Sequence, residues 1–533
     1  MTRRGIRRAV AVLAAAAAVA LTAPFAQAGA TSPDGATLSA CARVRDLPGA
    51  RITATEQVPA GSYTTPDGQT FTGLPAFCRV AAVTARTVRF EVWIPSGAWS
   101  GDYEAVGNGG FAGTITYAGM AQALRAGYAT ASTDTGHSAS DTAGTWISDP
   151  VLLADWGHRS IHLMTGPAKA AIAAYRGHRP HHSYFVGGST GGDQAMEEAE
   201  FFPRDYDGIV AMAPGMAYSH LMMSFIHTAL PSERDPDAYL PPDKLALLNR
   251  AVLSACAADK AVPSDDYLTR PQDCHFDAAT LLCPEDGGTS SCLTEPQVAA
   301  AEVIYASVRD PRTGRELYPG FVRGSEADPE HGSASSAGWY SVQSSGGHSL
   351  ARQYAQPLFG RAVFGDPNWD WTGFDFGRDA DTVGARLSPV IEATSPDLRA
   401  FAARGGKLIM TQGWSDAYNA QTLPIEYYDK VSRQLGGEAR TRSFFRLFMQ
   451  PGVGHVAGGP GLDGFDAMGT IRAWVERRTA PDSITAFKSS SGQTRPLCPY
   501  PQAAAYNGKG DTRVASSFHC SPVSGHAELP AGG

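Results

Sequence analysis

Tyr184-Phe185-Val186-Gly187-Gly188-Ser189-Thr190-Gly191-Gly192 sets one serine between glycines, directly after an apolar extended run and directly before a helix-like stretch. A strand that turns abruptly into a helix holds a serine hydroxyl clear of the backbone, where a base can reach it. The flanking glycines fit such a turn because a side chain two positions away would collide across it. Gly-x-Ser-x-Gly by itself is a weak signal: with 58 glycines in 533 residues, about 0.5 matches arise by chance. The surroundings strengthen it. A helix is predicted over Ser160 to Gly177, with Ile161, Met164, Ala168, Ile172 and Tyr175 recurring near one face. A strand follows at Ser183 to Val186, a second helix at Gln194 to Phe202, and a buried strand at Gly208 to Ala213, stopped by Pro214-Gly215. Helix, strand, elbow, helix, strand describes an α/β architecture; the alternative is a glycine-rich linker carrying an idle serine.

A serine hydroxyl needs an imidazole to take its proton, and the imidazole needs a carboxylate to fix its tautomer. In an α/β-hydrolase fold these partners follow the serine in the order acid, histidine, each on a loop after a later strand. Lys407 to Thr411 reads as a buried strand, and Gln412-Gly413-Trp414-Ser415-Asp416 places Asp416 on the loop beyond it. Phe444 to Met449 reads as the next strand, followed by Pro451-Gly452-Val453-Gly454-His455. Taken singly, an Asp after a strand is most often a turn or helix cap, and a lone His is most often structural. Asp429, inside a helix-like stretch, and Asp463, after the histidine, are weaker candidates for the acid. For the oxyanion, one donor is expected at the backbone N–H of Thr190. The second is expected in the turn Asn108-Gly109-Gly110-Phe111 after the strand Tyr103 to Gly107, at Gly109 or Gly110. This chemistry requires no cofactor.

Apolar content of 43% and charged content of 18% describe a folded, soluble chain. No basic cluster of the kind that tracks phosphates is present, which argues against a nucleic-acid partner. Residues 1–28 read as a signal peptide: Arg3, Arg4, Arg7 and Arg8, an apolar run of 13 from Ala9 to Leu21, then Ala26-Gln27-Ala28. Thirteen residues are short for a bilayer span, so no membrane association is expected after cleavage. The flanks of the paired arginines suit the general export route better than the twin-arginine one. Loss of the four arginines would take the formal charge from −8 to −12. Export makes the eight cysteines readable as four disulfides of a secreted protein. Local pairs are Cys256 with Cys274, Cys283 with Cys292 and Cys498 with Cys520, leaving Cys41 for Cys78. No Cys-x-x-Cys spacing favours zinc.

Gly-Gly-Ser-Thr-Gly-Gly (187–192) with Phe-Pro-Arg-Asp-Tyr-Asp-Gly-Ile-Val-Ala (202–211) resembles the tannase and feruloyl esterase family. So do Leu74-Pro75-Ala76-Phe77-Cys78-Arg79-Val80, Gly107-Asn108-Gly109-Gly110-Phe111 and Ser132-Thr133-Asp134-Thr135-Gly136-His137. The likeness runs from about Cys41 to Cys520. It implies a secreted α/β-hydrolase with a large inserted lid, in a family that also holds hydrolases of mono(2-hydroxyethyl) terephthalate. It gives Ser189, Asp416 and His455 the nucleophile, acid and base roles, in agreement with the reading of the residues. Two departures stand out. Family members usually carry a cysteine before the nucleophile and one after the histidine, joined as a clamp; here Gly188 and Val456 stand there. Such a long-range disulfide contributes about 5 kcal/mol in the chain-entropy model. The family also often binds calcium in an aspartate-rich loop corresponding to Cys256–Cys274. This loop keeps Asp259, Asp265, Asp266 and Asp273 without the family's aspartate-glycine spacing, so a solvated, disulfide-tied loop without metal is the expectation.

The expected organisation is a catalytic domain built from residues 41–218 and 392–522, with residues 219–391 as the lid. That insertion holds four cysteines and Trp339, Tyr340, Phe364, Trp369 and Trp371, residues that either stack on an aromatic acyl group or form the lid's own core. The expected activity is hydrolysis of aromatic acid esters (feruloyl, galloyl or terephthalate half-esters, free or linked to polysaccharide or polyphenol). The rivals are an acyltransferase or lactonase with the same triad and a non-catalytic binding protein on a hydrolase scaffold.

Overall fold

Short runs of Val, Ile, Leu, Phe and Met in the segments Ser183–Gly188, Gly208–Met212, Lys407–Gly413 and Phe445–Gln450 are buried on both faces, the signature of parallel strands covered by helices. The computed structural model describes residues 41–84, 87–285, 288–327 and 338–523; the signal-peptide expectation for residues 1–28 lies outside them. The central sheet has nine strands, numbered here in chain order: β1 Ala50–Val58, β2 Phe77–Thr84, β3 Arg89–Pro95, β4 Tyr103–Val106, β5 Ala129–Thr133, β6 Ser183–Gly188, β7 Gly208–Met212, β8 Lys407–Gly413 and β9 Phe445–Gln450. Their spatial order is β1-β2-β3-β5-β4-β6-β7-β8-β9. β1, β2 and β3 pair antiparallel and β3 meets β5 antiparallel. From β5 to β9 every pairing is parallel. This is the α/β-hydrolase architecture that the elbow implied.

Helices of nine residues or more are α1 Tyr117–Arg125, α2 Ser160–Arg176, α3 Thr190–Glu200, α4 Tyr218–Arg234, α5 Pro242–Ala255, α6 Glu295–Tyr305, α7 Arg378–Ile391, α8 Leu423–Gln434 and α9 Ala467–Arg477. The strands' two-residue period sends alternate side chains to opposite faces. Phe185, Ile209, Met410 and Leu447 pack with Ile161, Met164, Ala168 and Ile172 of α2, with Met196 of α3 and with Tyr428 of α8. Tyr184, Val210, Ile409 and Phe448 pack on the other face with Ile471 and Trp474 of α9. Each predicted strand and helix around Ser189 is present, with ends moved by a few residues. The largest change is α3, which begins at Thr190. The glycines after the serine lowered the helical signal there, while the elbow requires the helix to start at once.

Residues 213–406 lie between the adjacent strands β7 and β8. Their own apolar cluster gathers Leu221, Met222 and Ile226 of α4, Leu248 and Val252 of α5, Ile304 of α6 and Leu387 of α7 around Trp339, Phe359 and Trp371. Trp146, Ile147, Leu153 and Trp156, from the connection between β5 and α2, belong to the same cluster. Trp339 and Trp371 are buried there, and Phe364 stacks on Trp369 at 4.7 Å. These aromatic residues therefore build the insertion's core, and Tyr340 is exposed.

The four disulfides pair as expected: Cys41–Cys78, Cys256–Cys274, Cys283–Cys292 and Cys498–Cys520. Two staple the insertion, one ties the N-terminal segment to β2, and the last joins the two C-terminal hairpins.

Candidate active site

The carboxyl ends of β6, β8 and β9 deliver the three sequence-predicted side chains to one point. At the elbow Ser189 has φ 61° and ψ −122°, a left-handed conformation rare outside glycine and typical of functional sites. Its amide donates to Met212 O at 2.9 Å. A Cβ on Gly187 would lie 2.1 Å from Gly191 O, and one on Gly191 would lie 2.8 Å from Asn108 O. Backbone thus meets backbone on both sides of the serine, and no larger residue fits.

Asp416 lies on the loop after β8, fully buried. Its Oδ1 accepts from the amides of Tyr418 (2.7 Å) and Asn419 (3.1 Å), and its Oδ2 accepts from Gln412 Nε2 (2.9 Å). Asn419 Nδ2 donates to Ala213 O at 2.8 Å, anchoring the acid loop to the end of β7. The acid and histidine loops are joined by backbone: Trp414 N donates to Gln450 O and Ser415 N to Val453 O, each at 2.9 Å. His455 then places Nδ1 2.9 Å from Asp416 Oδ2 and Nε2 2.8 Å from Ser189 Oγ. The Tyr418 ring meets the imidazole edge-on at 4.7 Å. One ring bridges a hydroxyl and a buried carboxylate, so a proton can pass from serine to imidazole while the resulting cation is held by the acid. The weaker acid candidates do not reach it: Asp429 lies within α8, and Asp463 accepts from Gly458 N at 2.9 Å.

The oxyanion candidates occupy neighbouring loops. Thr190 is the first residue of α3, where amides lack intrahelical acceptors. Its Oγ1 donates to Gly110 O at 2.9 Å. Asn108 and Gln194 are both buried and form a reciprocal pair, Asn108 N to Gln194 Oε1 (3.0 Å) and Gln194 Nε2 to Asn108 Oδ1 (3.2 Å). This pair fixes the Gly109-Gly110 turn against the start of α3. Gly110 has φ 54°, and Gly109 faces open space.

Sequence reasoning missed several groups. Phe111 sits edge-on to Tyr354 (5.0 Å), Trp146 (5.6 Å) and Trp156 (5.5 Å), and Trp156 meets Tyr218 at 5.1 Å. Tyr354 reaches the turn at Gly110, its hydroxyl 3.0 Å from where a Cβ would stand. Nothing in the spacing of Tyr354 marks it, because it comes from the insertion. His137 stacks on Trp146 at 3.9 Å, and burial lowers its pKa to about 4. Behind the serine, burial raises Asp193, Glu197 and Glu198 of α3 well above the usual carboxylate range.

The clamp positions are in contact. Val456, at φ 68°, points at Gly188, with Cγ1 2.8 Å and Cβ 3.6 Å from where a Gly188 Cβ would stand. The calcium candidates are not gathered into a carboxylate cage. Asp265 is buried and paired with Arg495, Asp259 and Asp273 face Arg270, and Asp266 is exposed. The trio Cys256, Asp259 and Cys274 is close enough to hold a metal, but both sulfurs are committed to their disulfide. A hard, oxygen-seeking divalent ion does not fit this donor set.

A mostly parallel sheet with a serine elbow, an imidazole and a buried acid at its carboxyl ends defines the α/β-hydrolase class. A family model for tannase and feruloyl esterase matches residues 72–521, and the chain belongs to that family. An uncharacterised esterase of Xanthomonas campestris pv. campestris is 37% identical over 520 residues, covering 89% of each chain. The mono(2-hydroxyethyl) terephthalate hydrolase of Piscinibacter sakaiensis is 32% identical, over 84% of this chain and 85% of that one. A crystal structure of an esterase from Aspergillus oryzae matches with a TM-score of 0.81 at 25% identity, over 91% of this chain and 99% of that one. The protein is a carboxylic ester hydrolase.

Proposed function

We propose that the chain is an exported serine esterase that hydrolyses esters of aromatic carboxylic acids through an acyl-enzyme. The single observation that carries this reading is the His455 ring, 2.8 Å from Ser189 Oγ and 2.9 Å from Asp416 Oδ2. His455 takes the Ser189 proton as the oxygen attacks the ester carbonyl, and Asp416 holds the imidazolium that forms. The oxyanion is stabilised by the Thr190 amide and by Gly109 or Gly110. His455 returns the proton to the leaving alcohol. Water, deprotonated by the same imidazole, then releases the acid. Tyr418 lies against His455, and Phe111 and Tyr354 pack together beside the Gly110 turn, aromatic faces suited to an aromatic acyl group. The relatives agree with this reading: one is a mono(2-hydroxyethyl) terephthalate hydrolase and another a probable feruloyl esterase. Export is supported by the segment 1–28 and by four disulfides.

Initial rates on methyl ferulate, methyl gallate, mono(2-hydroxyethyl) terephthalate and p-nitrophenyl butyrate, side by side, test the reading. At least one aromatic acyl ester is expected to exceed the aliphatic one in kcat/KM, with Ser189→Ala inactive on all while melting as wild type does. Activity surviving in Ser189→Ala would overturn the nucleophile. Uniform preference for the butyrate would overturn the substrate class.

A further inference from the structure

The loop closed by Cys256–Cys274 carries four aspartates; Arg270 of the loop faces two of them, while the buried Asp265 is answered by a side chain more than two hundred residues away. Arg495 stands on the strand Gln493–Leu497, hairpin partner of Ile484–Lys488. Its guanidinium grips Asp265 with both forks, Nη1 to Oδ2 at 2.6 Å and Nη2 to Oδ1 at 3.1 Å. The two side chains retain 6% and 4% of their exposure, so the pair is dry. Nη2 also donates to Thr512 O at 3.2 Å, and the Phe518 ring lies 4.3 Å beneath the guanidinium. The second Nη1 hydrogen goes to Tyr267 OH, at 2.9 Å. The base of the Tyr267 ring in turn packs against Gly452, where a Cβ would stand 2.5 Å from Tyr267 Cγ. Gly452 is three residues before His455, in the loop that closes back on itself through Gly461 N to Gly452 O at 2.8 Å.

We infer that Arg495 is the permanent cation of the Cys256–Cys274 loop, fastening it to the C-terminal hairpin without a divalent ion, and that through Tyr267 it is a positioning residue for the loop bearing His455. Bidentate pairing uses both oxygens of Asp265, and a planar fork satisfies a buried carboxylate more completely than a point charge does. The fastening stands on its own geometry. Only the positioning clause rests on the catalytic role proposed for His455.

Thermal melting of the full chain with EDTA and with millimolar calcium chloride tests the first clause. The wild-type midpoints are expected to agree within about 1 °C, because a ligand that binds only the native state would raise the midpoint with its concentration. A chelator-induced drop of several degrees, or calcium binding near one ion per chain by calorimetry, would overturn it. Arg495→Met tests the second clause. Its midpoint is expected to fall by several degrees. Fluorophosphonate labelling of Ser189 and kcat are expected to slow on the order of tenfold or more through misplacement of the imidazole, with KM little changed. A variant that melts and labels as wild type does would overturn the inference. Should Arg495→Met not fold, Tyr267→Phe keeps the ring on Gly452 and removes only the bond to Arg495. Unchanged labelling in that variant would sink the positioning clause. A wild type that never labels points instead to a failure of the proposed function, while the melting results still decide the fastening.

Discussion

At the nucleophile elbow, backbone is held by backbone: Gly187 touches Gly191, and Gly191 touches the chain at Asn108. The histidine loop is tied to the acid loop by backbone, Trp414 N to Gln450 O and Ser415 N to Val453 O, and differs in needing side chains as well. Tyr267 comes from the insertion, Lys488 Nζ donates to Gly459 O at 2.5 Å from a C-terminal hairpin, and Asp463 accepts from Gly458 N. At the two positions for which the family resemblance implied a cysteine clamp, this chain presses Val456 against Gly188. A β-branched residue at positive φ is an uncommon and strained choice, so the contact is kept at a local cost. The elbow is thus rigid by construction, whereas the imidazole depends on distant contacts for its place.

The sharpest break of that contrast is at the acid, which serves both regions through His455. Asp416→Asn is expected to lower kcat about 10⁴-fold, because the amide keeps its oxygen on the Tyr418 and Asn419 N–H donors, turns its NH2 toward His455 Nδ1 and so favours the wrong imidazole tautomer. Steady-state kinetics with a melting curve decides the matter, and a loss under tenfold would mean that another acid serves. Next in size is Gly187→Ala. A methyl 2.1 Å from Gly191 O has nowhere to go, and denaturant titration should show a loss of about 4 kcal/mol or more. Gly109→Ala, in open space, should stay within about 0.5 kcal/mol by the same measurement. Equal losses would erase the distinction drawn for the elbow.

The double variant Gly188→Cys with Val456→Cys sharpens the comparison from the other side. A Cβ–Cβ separation of 3.6 Å falls within disulfide range, so the bond should form. In non-reducing melts it should add about 3 kcal/mol, which reductant would remove. A bond that forms without raising the midpoint would show that Val456 and Tyr267 already fix the loop. The smallest effect concerns pH. Burial raises Glu104 of β4 from 4.5 to about 8. Between these values the folded chain keeps a proton that the unfolded chain has lost, so stability falls as pH rises through the window. Asp134, raised to about 6, and Glu200, raised to about 7, act in the same direction. Glu104→Gln should therefore melt higher than wild type at pH 8, with the gap closing toward pH 5. A gap that widened toward acid would refute the assignment.

Local chemistry made the elbow and the strand order around it readable. Glycines at 187 and 191 have no alternative where two backbones touch, and the apolar runs of β6, β7, β8 and β9 bear no other reading than buried strands. Asp416 and His455 were legible for the same reason, since each follows its strand within a few residues. The surroundings of the reaction centre were not legible. Tyr354, Tyr218 and Phe111 are ordinary aromatic residues in the chain, and only packing brings them to the serine. The insertion's tryptophans were open to two readings, ligand contact or a core of the insertion's own, and packing decided for the core, because so long a segment must bury apolar surface of its own.

Sequence by itself determined the fold, the four cysteine pairs and which serine, aspartate and histidine could act together. These rest on short-range rules: turn sterics, strand periodicity and the order of loops along one edge of a sheet. Only the tertiary structure decided what holds the imidazole and what answers the charge of the aspartate-rich loop. Arg495 and Asp265 are far apart in the chain, and nothing in either neighbourhood names the other. A buried carboxylate requires a partner, but which partner it finds depends on how distant surfaces pack.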